Sequence, residues 1–440
     1  MKKIITLALA AAFTVASYAP ASALEVTADG EWLYQFQTSG EGFEGQNTEF
    51  TGQRVRLGFT FTASEDLHGY TQFEMEDIWG DLESKHGNKN VVTRQLYLDW
   101  KVPNTDIRIR MGRHAFDMPA YATCSPIITD WVNEGIVAHV PFNDTYSVTG
   151  FWARAVNGAR ADGEAGDHNV DFFGLVGNAS FDNLNITPYV LYGNKGETPL
   201  MEVDGEEFQK MPEQSNFAYD DVRGDLFIAG AGIEWKPADA LTLALDGAYG
   251  KLNYSDTLDA EGNKVEDQSG WYVAAKASYD LDFGTPALLG WYASGDDEGE
   301  NKHGQLPHIF GDYDATNTYF NAAPGIVGGH STNVGGTWGV AAQLNGLSFI
   351  ENLTHDLSIA YIGGTNDKAN GANGSGYDYL TTEDSAIELS AVNTLELYKN
   401  LSAIFEAAYI IEDYDTSSEG RKDKDFENDW RLSLTFAYTF

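Results

Sequence analysis

Alternation of apolar and polar side chains is the feature that most constrains the fold of this chain. In the stretch "DWRLSLTFAYTF", apolar and aromatic residues fall on one parity and the remaining, mostly polar residues on the other. Successive side chains of a β-strand point to opposite faces, so this stretch predicts a strand with one apolar and one polar face. The same pattern recurs in "QRVRLGFTF", "LTLALDGAYG", "WYVAAKASYDL" and "LSAIFEAAYI". The sequence therefore predicts an all-β protein.

The connections between these strands alternate in length. Short turns are predicted at 103–105, 143–144, 182–183, 237–239 and 398–400, and long polar stretches at 196–224, 255–268, 297–334, 367–383 and 413–427. Such alternation places all the short turns at one end of an antiparallel sheet. Short turns at one end and long loops at the other are typical of outer-membrane β-barrels. A secreted sandwich or solenoid is the alternative, although sandwiches seldom segregate their connections in this way.

The first residues, "MKKIITLALAAAFTVASYAPASA", have the layout of a secretory signal. A basic start precedes a short apolar run, and small residues follow at Ala21, Ser22 and Ala23. This pattern predicts cleavage after Ala23, with an N-terminal membrane anchor as the alternative. We therefore expect a signal peptide over 1–23 and a single transmembrane β-barrel domain over 24–440.

Burial in a bilayer explains why one face of each strand is apolar. Each unpaired backbone amide costs several kcal/mol in hydrocarbon, so a spanning sheet must close into a barrel. The apolar parity then faces lipid and the polar parity faces the lumen. The pattern predicts an antiparallel up-and-down barrel of eighteen strands, the first near 25–37 and the last at 429–440. The strands near 69–78, 286–296 and 336–350 have a weaker pattern, which leaves sixteen as the alternative.

Composition excludes several classes of function. The formal net charge of −39 argues against nucleic acid, because phosphates require a basic footprint. The single cysteine, Cys124, excludes an intramolecular disulfide framework and a cysteine-based zinc site. The nine histidines form no metal-ligand pattern, and His303 and His308 are expected on the surface of a long loop. No nucleophile elbow or phosphate-binding loop is present, so no enzymatic activity, metal or cofactor is expected.

With this pattern assembled, the sequence resembles Gram-negative porins. The stretch "FAYTF" is similar to the signature by which the barrel-assembly machinery recognises outer-membrane proteins, with Phe436, Tyr438 and Phe440 as the matching residues. The stretch "LEVTADGEWLYQFQ" and the overall length resemble the homotrimeric porins of sulfate-reducing bacteria. The resemblance implies an outer-membrane homotrimer of water-filled pores in contact with outer-membrane lipid and lipopolysaccharide. It also implies a loop that folds inward to narrow each pore.

A pore constriction is predicted from this resemblance and from the distribution of charge. The stretch 115–133 corresponds to the inward loop and is less polar than the other long loops, with an external flap as the alternative. Arginines cluster on the strands beside it, where a guanidinium would be costly in hydrocarbon. The predicted constriction residues are Arg54, Arg56, Arg94, Arg108, Arg110, Arg113, Glu74, Glu76, Asp117 and Asp130.

Two roles are open for these charges, and three functions are open for the chain. The arginines could face loop carboxylates across the pore and orient polar solutes, or they could pair with carboxylates on neighbouring strands. The function expected first is a porin for passive diffusion of ions and small hydrophilic solutes. A channel selective for sugars or small organic anions is the alternative. A plugged barrel that serves as an adhesin or anchor is the third possibility.

Overall fold

The computed structural model describes most of the chain as one closed β-sheet. The residues described are 24–40, 48–79, 91–156, 169–195, 201–203, 206–208, 224–254, 267–297, 303–311, 313–320, 333–368, 379–416 and 428–440. The predicted signal peptide, 1–23, lies outside them.

Eighteen long strands and one small hairpin make up the secondary structure of the described residues. The hairpin is β10 (Met201–Val203) with β11 (Glu206–Phe208). The barrel strands are β1 (Glu25–Ser39), β2 (Thr48–Ser64), β3 (Leu67–Ile78), β4 (Val92–Lys101), β5 (Arg108–Phe116), β6 (Trp131–Pro141), β7 (Tyr146–Val156), β8 (Val170–Ser180), β9 (Leu184–Lys195), β12 (Gly224–Ala238), β13 (Leu241–Tyr254), β14 (Gln268–Tyr279), β15 (Thr285–Ala293), β16 (Thr337–Ile350), β17 (Leu353–Gly364), β18 (Ser385–Tyr398), β19 (Leu401–Asp413) and β20 (Asp429–Thr439).

Each barrel strand pairs antiparallel with its neighbours in sequence, and β9 pairs with β12. The sheet closes where β1 pairs with β20, over the register Glu31 to Thr439 through Ser39 to Arg431. Gly30 and Phe440 exchange two backbone hydrogen bonds of 3.1 Å at the end of this seam. Closure leaves no sheet edge in the membrane, as hydrocarbon requires. The prediction of eighteen strands is confirmed, including the three strands whose pattern was weaker.

Short connections lie together at one end of the barrel. Two residues join β2 to β3, β12 to β13, β16 to β17 and β18 to β19. In the turn from β16 to β17, Asn352 adopts a left-handed conformation with φ of 63°, which suits a tight hairpin. The longer connections, such as those after β3, β9, β15 and β17, lie at the opposite end, which we call the long-loop end.

The two parities of each strand meet different surroundings. On β20, Leu432 is 40 % exposed, whereas its neighbours Arg431 and Ser433 are 1 % and 2 % exposed. Trp235 and Trp271 are also exposed on the outward parity. Such an exposed apolar surface is stable in lipid, where it meets hydrocarbon chains. Among the described residues, no helix combines the length and apolar character needed to cross a membrane.

Candidate functional site: a lumen narrowed by two inward segments

Two connections at the long-loop end fold back against the inner wall of the barrel. The first inward segment, 117–130, joins β5 to β6, and the second, described over 303–311 and 313–320, belongs to the connection between β15 and β16. Ile127 and Ile128 of the first are completely buried, as are Ile309 and Phe320 of the second. The prediction that 115–133 folds inward is confirmed, and the external flap is excluded.

The first segment is held by a carboxylate on the wall. Asp246 lies on the inward parity of β13, next to Leu245, which is exposed on the outward parity. Its carboxylate accepts hydrogen bonds from the backbone N–H of Tyr121 at 2.8 Å and of Ala122 at 2.6 Å. Hydrogen bonds to a charged acceptor are stronger than those between neutral groups, so one side chain fixes the middle of the segment.

The second segment is held in the same way from another part of the wall. Glu388, buried on the inward parity of β18, accepts hydrogen bonds from the backbone N–H of Asn317 at 3.0 Å and of Tyr319 at 2.7 Å. The segment also packs on aromatic residues of the wall, including Trp291. Complete burial of Tyr313 in this contact raises the pKa of its phenol well above its ordinary value.

The two segments also bind each other. The backbone N–H groups of Ile309 and Phe310 donate to the carbonyl of Ile127 at 3.1 and 3.0 Å, and Thr129 N–H donates to Phe310 O at 2.8 Å. The carboxylate of Asp314 accepts a hydrogen bond from Cys124 N–H at 2.7 Å. The segments therefore form one partition, which Asp246 and Glu388 attach to the wall.

Two glycines allow the partition to approach the wall. A Cβ atom on Gly232 of β12 would lie 2.8 Å from the ring of Tyr121. A Cβ atom on Gly270 of β14 would lie 2.3 to 2.4 Å from backbone atoms of Gln305 and Leu306. A larger residue at Gly270 would push the second segment away from the sheet, and one at Gly232 would displace the ring of Tyr121. Glycine at these two inward positions thus allows the close approach of the inward segments.

Opposite the partition, arginines and carboxylates alternate across the first strands. Glu31 on β1 forms ion pairs with Arg54 at 3.1 Å and with Arg56 at 3.4 Å, both on β2. Arg56 also bonds Glu74 on β3 at 2.5 Å. Glu76 lies opposite Arg54 in the register of β2 and β3. These contacts are the strand-to-strand pairs that the second of the two predicted roles describes.

A second group of charges lies on β4 and β5. Arg110 donates to one carboxylate oxygen of Asp99 at 2.9 and 3.1 Å, and its guanidinium stacks 4.3 Å from the centre of the Tyr97 ring. Arg108 lies 3.9 Å from the same carboxylate. Arg108 and Arg110 keep 47 % and 38 % of their side chains exposed. Their positive charge is therefore only partly compensated and remains open to the lumen.

Arg94 connects the wall to the first inward segment. Its guanidinium bonds the carboxylate of Asp130 and donates to Gln72 Oε1 at 3.0 Å. Asp130 has a left-handed backbone conformation with φ of 46°, and its N–H donates to Asp117 Oδ1 at 2.7 Å. This contact agrees with the first predicted role, in which a wall arginine faces a loop carboxylate.

Arg113, by contrast, does not lie in the lumen, so its prediction as a constriction residue is wrong. In the register of β4 and β5 it lies opposite Leu96, whose side chain is 57 % exposed on the outer face of the barrel. Strict alternation from Arg108 and Arg110 places Gly112 inward and Arg113 outward. Its guanidinium bonds Glu134 on β6 at 2.8 Å.

Between the basic strands and the first segment lies a cavity of about 440 Å³. Asp99, Arg108, Arg110, Asp117 and His139 contribute to its lining. The structure thus brings together basic side chains from β5 and carboxylates from β4 and from the segment. A small polar solute that enters this space meets both signs of charge within one constriction.

Sequence reasoning missed several elements of this site. The second inward segment was part of a stretch expected to be an external loop, and His308 within it is buried rather than on the surface. Asp246 and Glu388 were missed because they lie on the polar face of their strands, where carboxylates are also expected simply from contact with water in the lumen. The apolar residues clustered at 306–320 were the available signal, because they distinguish this stretch from the acidic residues that precede it.

Comparison with known proteins identifies the fold. No protein-family model matches the chain, and no curated protein matches it. Among solved structures it is similar to OprD of Pseudomonas aeruginosa, with a TM-score of 0.53 and 14 % identity over 94 % of this chain and 95 % of that one. The outer membrane protein OpdK of the same organism gives 0.55 and 11 % over 94 % and 98 %. OccAB3 of Acinetobacter baumannii gives 0.56 and 9 % over 94 % and 100 %.

These similarities extend over nearly the whole of each chain, whereas the sequence identities are low. They establish the architecture, a closed barrel of eighteen antiparallel strands. The apolar side chains exposed on the outside of the barrel agree with this architecture, because the outer face of such a barrel contacts hydrocarbon. The chain therefore shares the fold of these solved structures, which include the outer membrane protein OpdK.

Proposed function

We propose that the protein is a passive channel for ions and small hydrophilic solutes across the outer membrane. The observation that carries this proposal is the cavity beside the first inward segment, where Arg108 and Arg110 keep part of their guanidinium groups exposed inside a closed barrel. A purely structural barrel would have no need of exposed charge there. No energy source or cofactor is required for such passage.

Selective passage of small organic anions is the second candidate. It is supported by the narrowing of the lumen by two segments rather than one. It is also supported by the exposed guanidinium groups, which bind carboxylates with two parallel hydrogen bonds. Asp117 on the first inward segment would then repel anions from the side of the cavity that faces the basic strands. Current that saturates with a small carboxylate, but not with chloride, would favour this candidate over general diffusion.

Single-channel recording tests the proposal. Purified protein inserted in a planar bilayer should give steady conductance steps at constant voltage. A barrel used as an adhesin or anchor, with its lumen sealed by the partition, would insert and give no steady current. That result would reject the channel.

Reversing the charge at Arg108 should change the ion selectivity. One unit charge about 4 Å from a passing ion is worth about 1 kcal/mol in water, which corresponds to about fivefold in a permeability ratio. Arg108→Glu changes the charge by two units and should therefore shift the ratio toward cations by more than this factor at low salt, and the shift should shrink at high salt. The reversal potential under a salt gradient measures it.

Lys251→Glu provides the matched control for this prediction. It makes the same change of charge, but Lys251 pairs opposite Phe227 on the outward parity. Its reversal potential should equal that of the wild type. Equal reversal potentials for Arg108→Glu and the wild type would show that the charge of Arg108 does not act on ions in the pore.

We also propose three properties that rest on the sequence. Cleavage after Ala23 would produce the exported domain, 24–440. The similarity to homotrimeric porins of sulfate-reducing bacteria supports a trimer. Phe436, Tyr438 and Phe440 would be the residues that the barrel-assembly machinery recognises, and the rings of the last two stack at 5.7 Å on the outward parity.

A further inference from the structure

A row of polar side chains crosses the outer face of the barrel at the long-loop end. Arg113 on β5 pairs opposite Glu134 on β6, Glu134 opposite Arg154 on β7, and Arg154 opposite Asp171 on β8. These four residues, here named the outer polar row, alternate in sign across four adjacent strands. Their parity is outward, because Phe173, two residues from Asp171, is exposed to the surroundings of the barrel.

Directly below the outer polar row lies a row of aromatic residues. Trp152, Phe173, Tyr192 and Phe227 are consecutive partners on β7, β8, β9 and β12. Aromatic girdles of this kind mark the interface between hydrocarbon and headgroups in outer-membrane barrels. The outer polar row therefore begins where the girdle ends.

The length of the apolar face supports this position. Asp171 on β8 and the exposed Phe181, which directly follows this strand, are ten residues apart, and on β12 Asp225 and the exposed Trp235 are also ten residues apart. At about 3.3 Å per residue and a tilt of about 40°, ten residues span about 25 Å along the membrane normal. This equals the height of the apolar band of such barrels. The outer polar row thus lies at the headgroup level of the outer leaflet.

Hydrogen bonds orient the guanidinium groups of both arginines in this row, but they do not use all of the N–H donors. Arg154 donates Nε and Nη2 to the two oxygens of Asp171 at 2.8 and 2.9 Å. Arg113 donates Nε to the carbonyl of Arg94 at 3.2 Å and Nη1 to Glu134 at 2.8 Å. Within the described part of the chain, Nη1 of Arg154 and Nη2 of Arg113 have no acceptor. Each guanidinium therefore keeps one N–H₂ group available on the outer face.

We infer that the outer polar row is a binding site for the phosphate groups of an outer-leaflet lipid. The carboxylates of Glu134 and Asp171 fix the two guanidinium planes, and the remaining N–H₂ groups donate to phosphate oxygens. Arginine suits this role because it stays charged and binds phosphate oxygens directionally. The acyl chains of the same lipid would lie against Trp152 and Phe173. A second copy of the chain is the competing occupant, and it would need a carboxylate in place of the phosphate.

Native mass spectrometry of the purified barrel tests this site. The probe is diphosphorylated lipid A, compared with the same lipid after removal of its phosphates, both in EDTA so that no divalent cation can bridge. The wild type should retain the phosphorylated form preferentially. In the double variant Arg113→Gln, Arg154→Gln, its affinity should fall about tenfold or more, since two hydrogen bonds to a charged group are lost.

The control removes two positive charges at the other membrane edge. Lys101 and Lys236 lie at the short-turn end, and Lys101→Gln, Lys236→Gln should leave lipid A affinity unchanged. Inorganic phosphate at the same concentration should not displace the lipid, because it lacks the chains that contact the girdle. Equal lipid affinity in both double variants would overturn the proposal, and so would displacement by inorganic phosphate.

The same spectra report the oligomeric state. The double variant of the outer polar row should keep the subunit number of the wild type. A loss of subunits with unchanged lipid affinity would assign the row to contacts between copies and reject the lipid site. Conductance measured on the same samples separates this outcome from failure of the proposed channel function.

Discussion

Replacing Asp246 with alanine is expected to release the first inward segment and to widen the pore. The carboxylate of Asp246 fixes the backbone of Tyr121 and Ala122, and a hydrogen bond to a charged group contributes about 1.5–3 kcal/mol. The free energy of unfolding should therefore fall by about 3 kcal/mol or more. Single-channel conductance should rise, because the segment no longer stays against β13.

Cys124 reports the same change independently. It is the single cysteine of the chain and lies in the middle of the first segment, half-buried. In Asp246→Ala, a water-soluble thiol reagent should modify Cys124 faster than in the wild type. Asp106→Ala is the matched control, since Asp106 is an exposed turn carboxylate paired with Lys101. Unchanged conductance and labelling in Asp246→Ala would show that this carboxylate does not hold the partition.

An arginine placed on the lipid-facing parity should destabilise the barrel, whereas one at the same height on the lumen side should not. Leu175 is exposed near the middle of the apolar face of β8. Arginine at the bilayer midplane of such barrels costs about 2–4 kcal/mol, so Leu175→Arg should lower the free energy of unfolding by this amount. Urea titration of the barrel folded into lipid vesicles measures it.

Thr149→Arg is the matched variant for the inner face. Thr149 lies on β7 opposite Val176, next to Leu175 in sequence, and lines the cavity of the lumen. Its replacement should cost less than about 1 kcal/mol, because the new charge reaches water, and should reduce the conductance. Equal destabilisation by the two arginines would contradict the assignment of the faces.

The barrel could be predicted from the sequence because its physics is local and periodic. Alternation along β2, β13, β14, β19 and β20 follows from contact with lipid on one side, and it repeats whatever the lumen contains. The lengths of the connections then fixed which ends lie together. Even the weakly patterned strands near 69–78, 286–296 and 336–350 are present, because closure requires a partner for every strand.

The lumen was harder to predict, because its contents depend on contacts between residues far apart in sequence. Asp246 contacts Tyr121 across 125 positions, and Glu388 contacts Tyr319 across 69. On the polar parity such carboxylates look the same as carboxylates that face water. The second inward segment was hidden for the same reason, since its acidic flank resembled an external loop.

Arg113 illustrates a different error, which the sequence alone could have prevented. Its grouping with Arg108 and Arg110 rested on nearness in sequence. Counting positions along β5 puts 108, 110 and 112 on one face and 113 on the other. The charge pairs on β1 to β5 likewise show both predicted roles at once: Arg54 and Arg56 pair along the wall, whereas Arg94 reaches Asp130 on the partition.

The division of alternate side chains between lipid and lumen can be measured directly with spin labels on β6. In a Cys124→Ser background, single cysteines at Ile136, Val137, Ala138 and His139 would carry nitroxides in a barrel inserted in vesicles. Oxygen, which concentrates in hydrocarbon, should relax the labels at 136 and 138 most, and a water-soluble nickel chelate should relax those at 137 and 139. Accessibility that does not alternate, or that alternates with the opposite parity, would contradict the barrel as described.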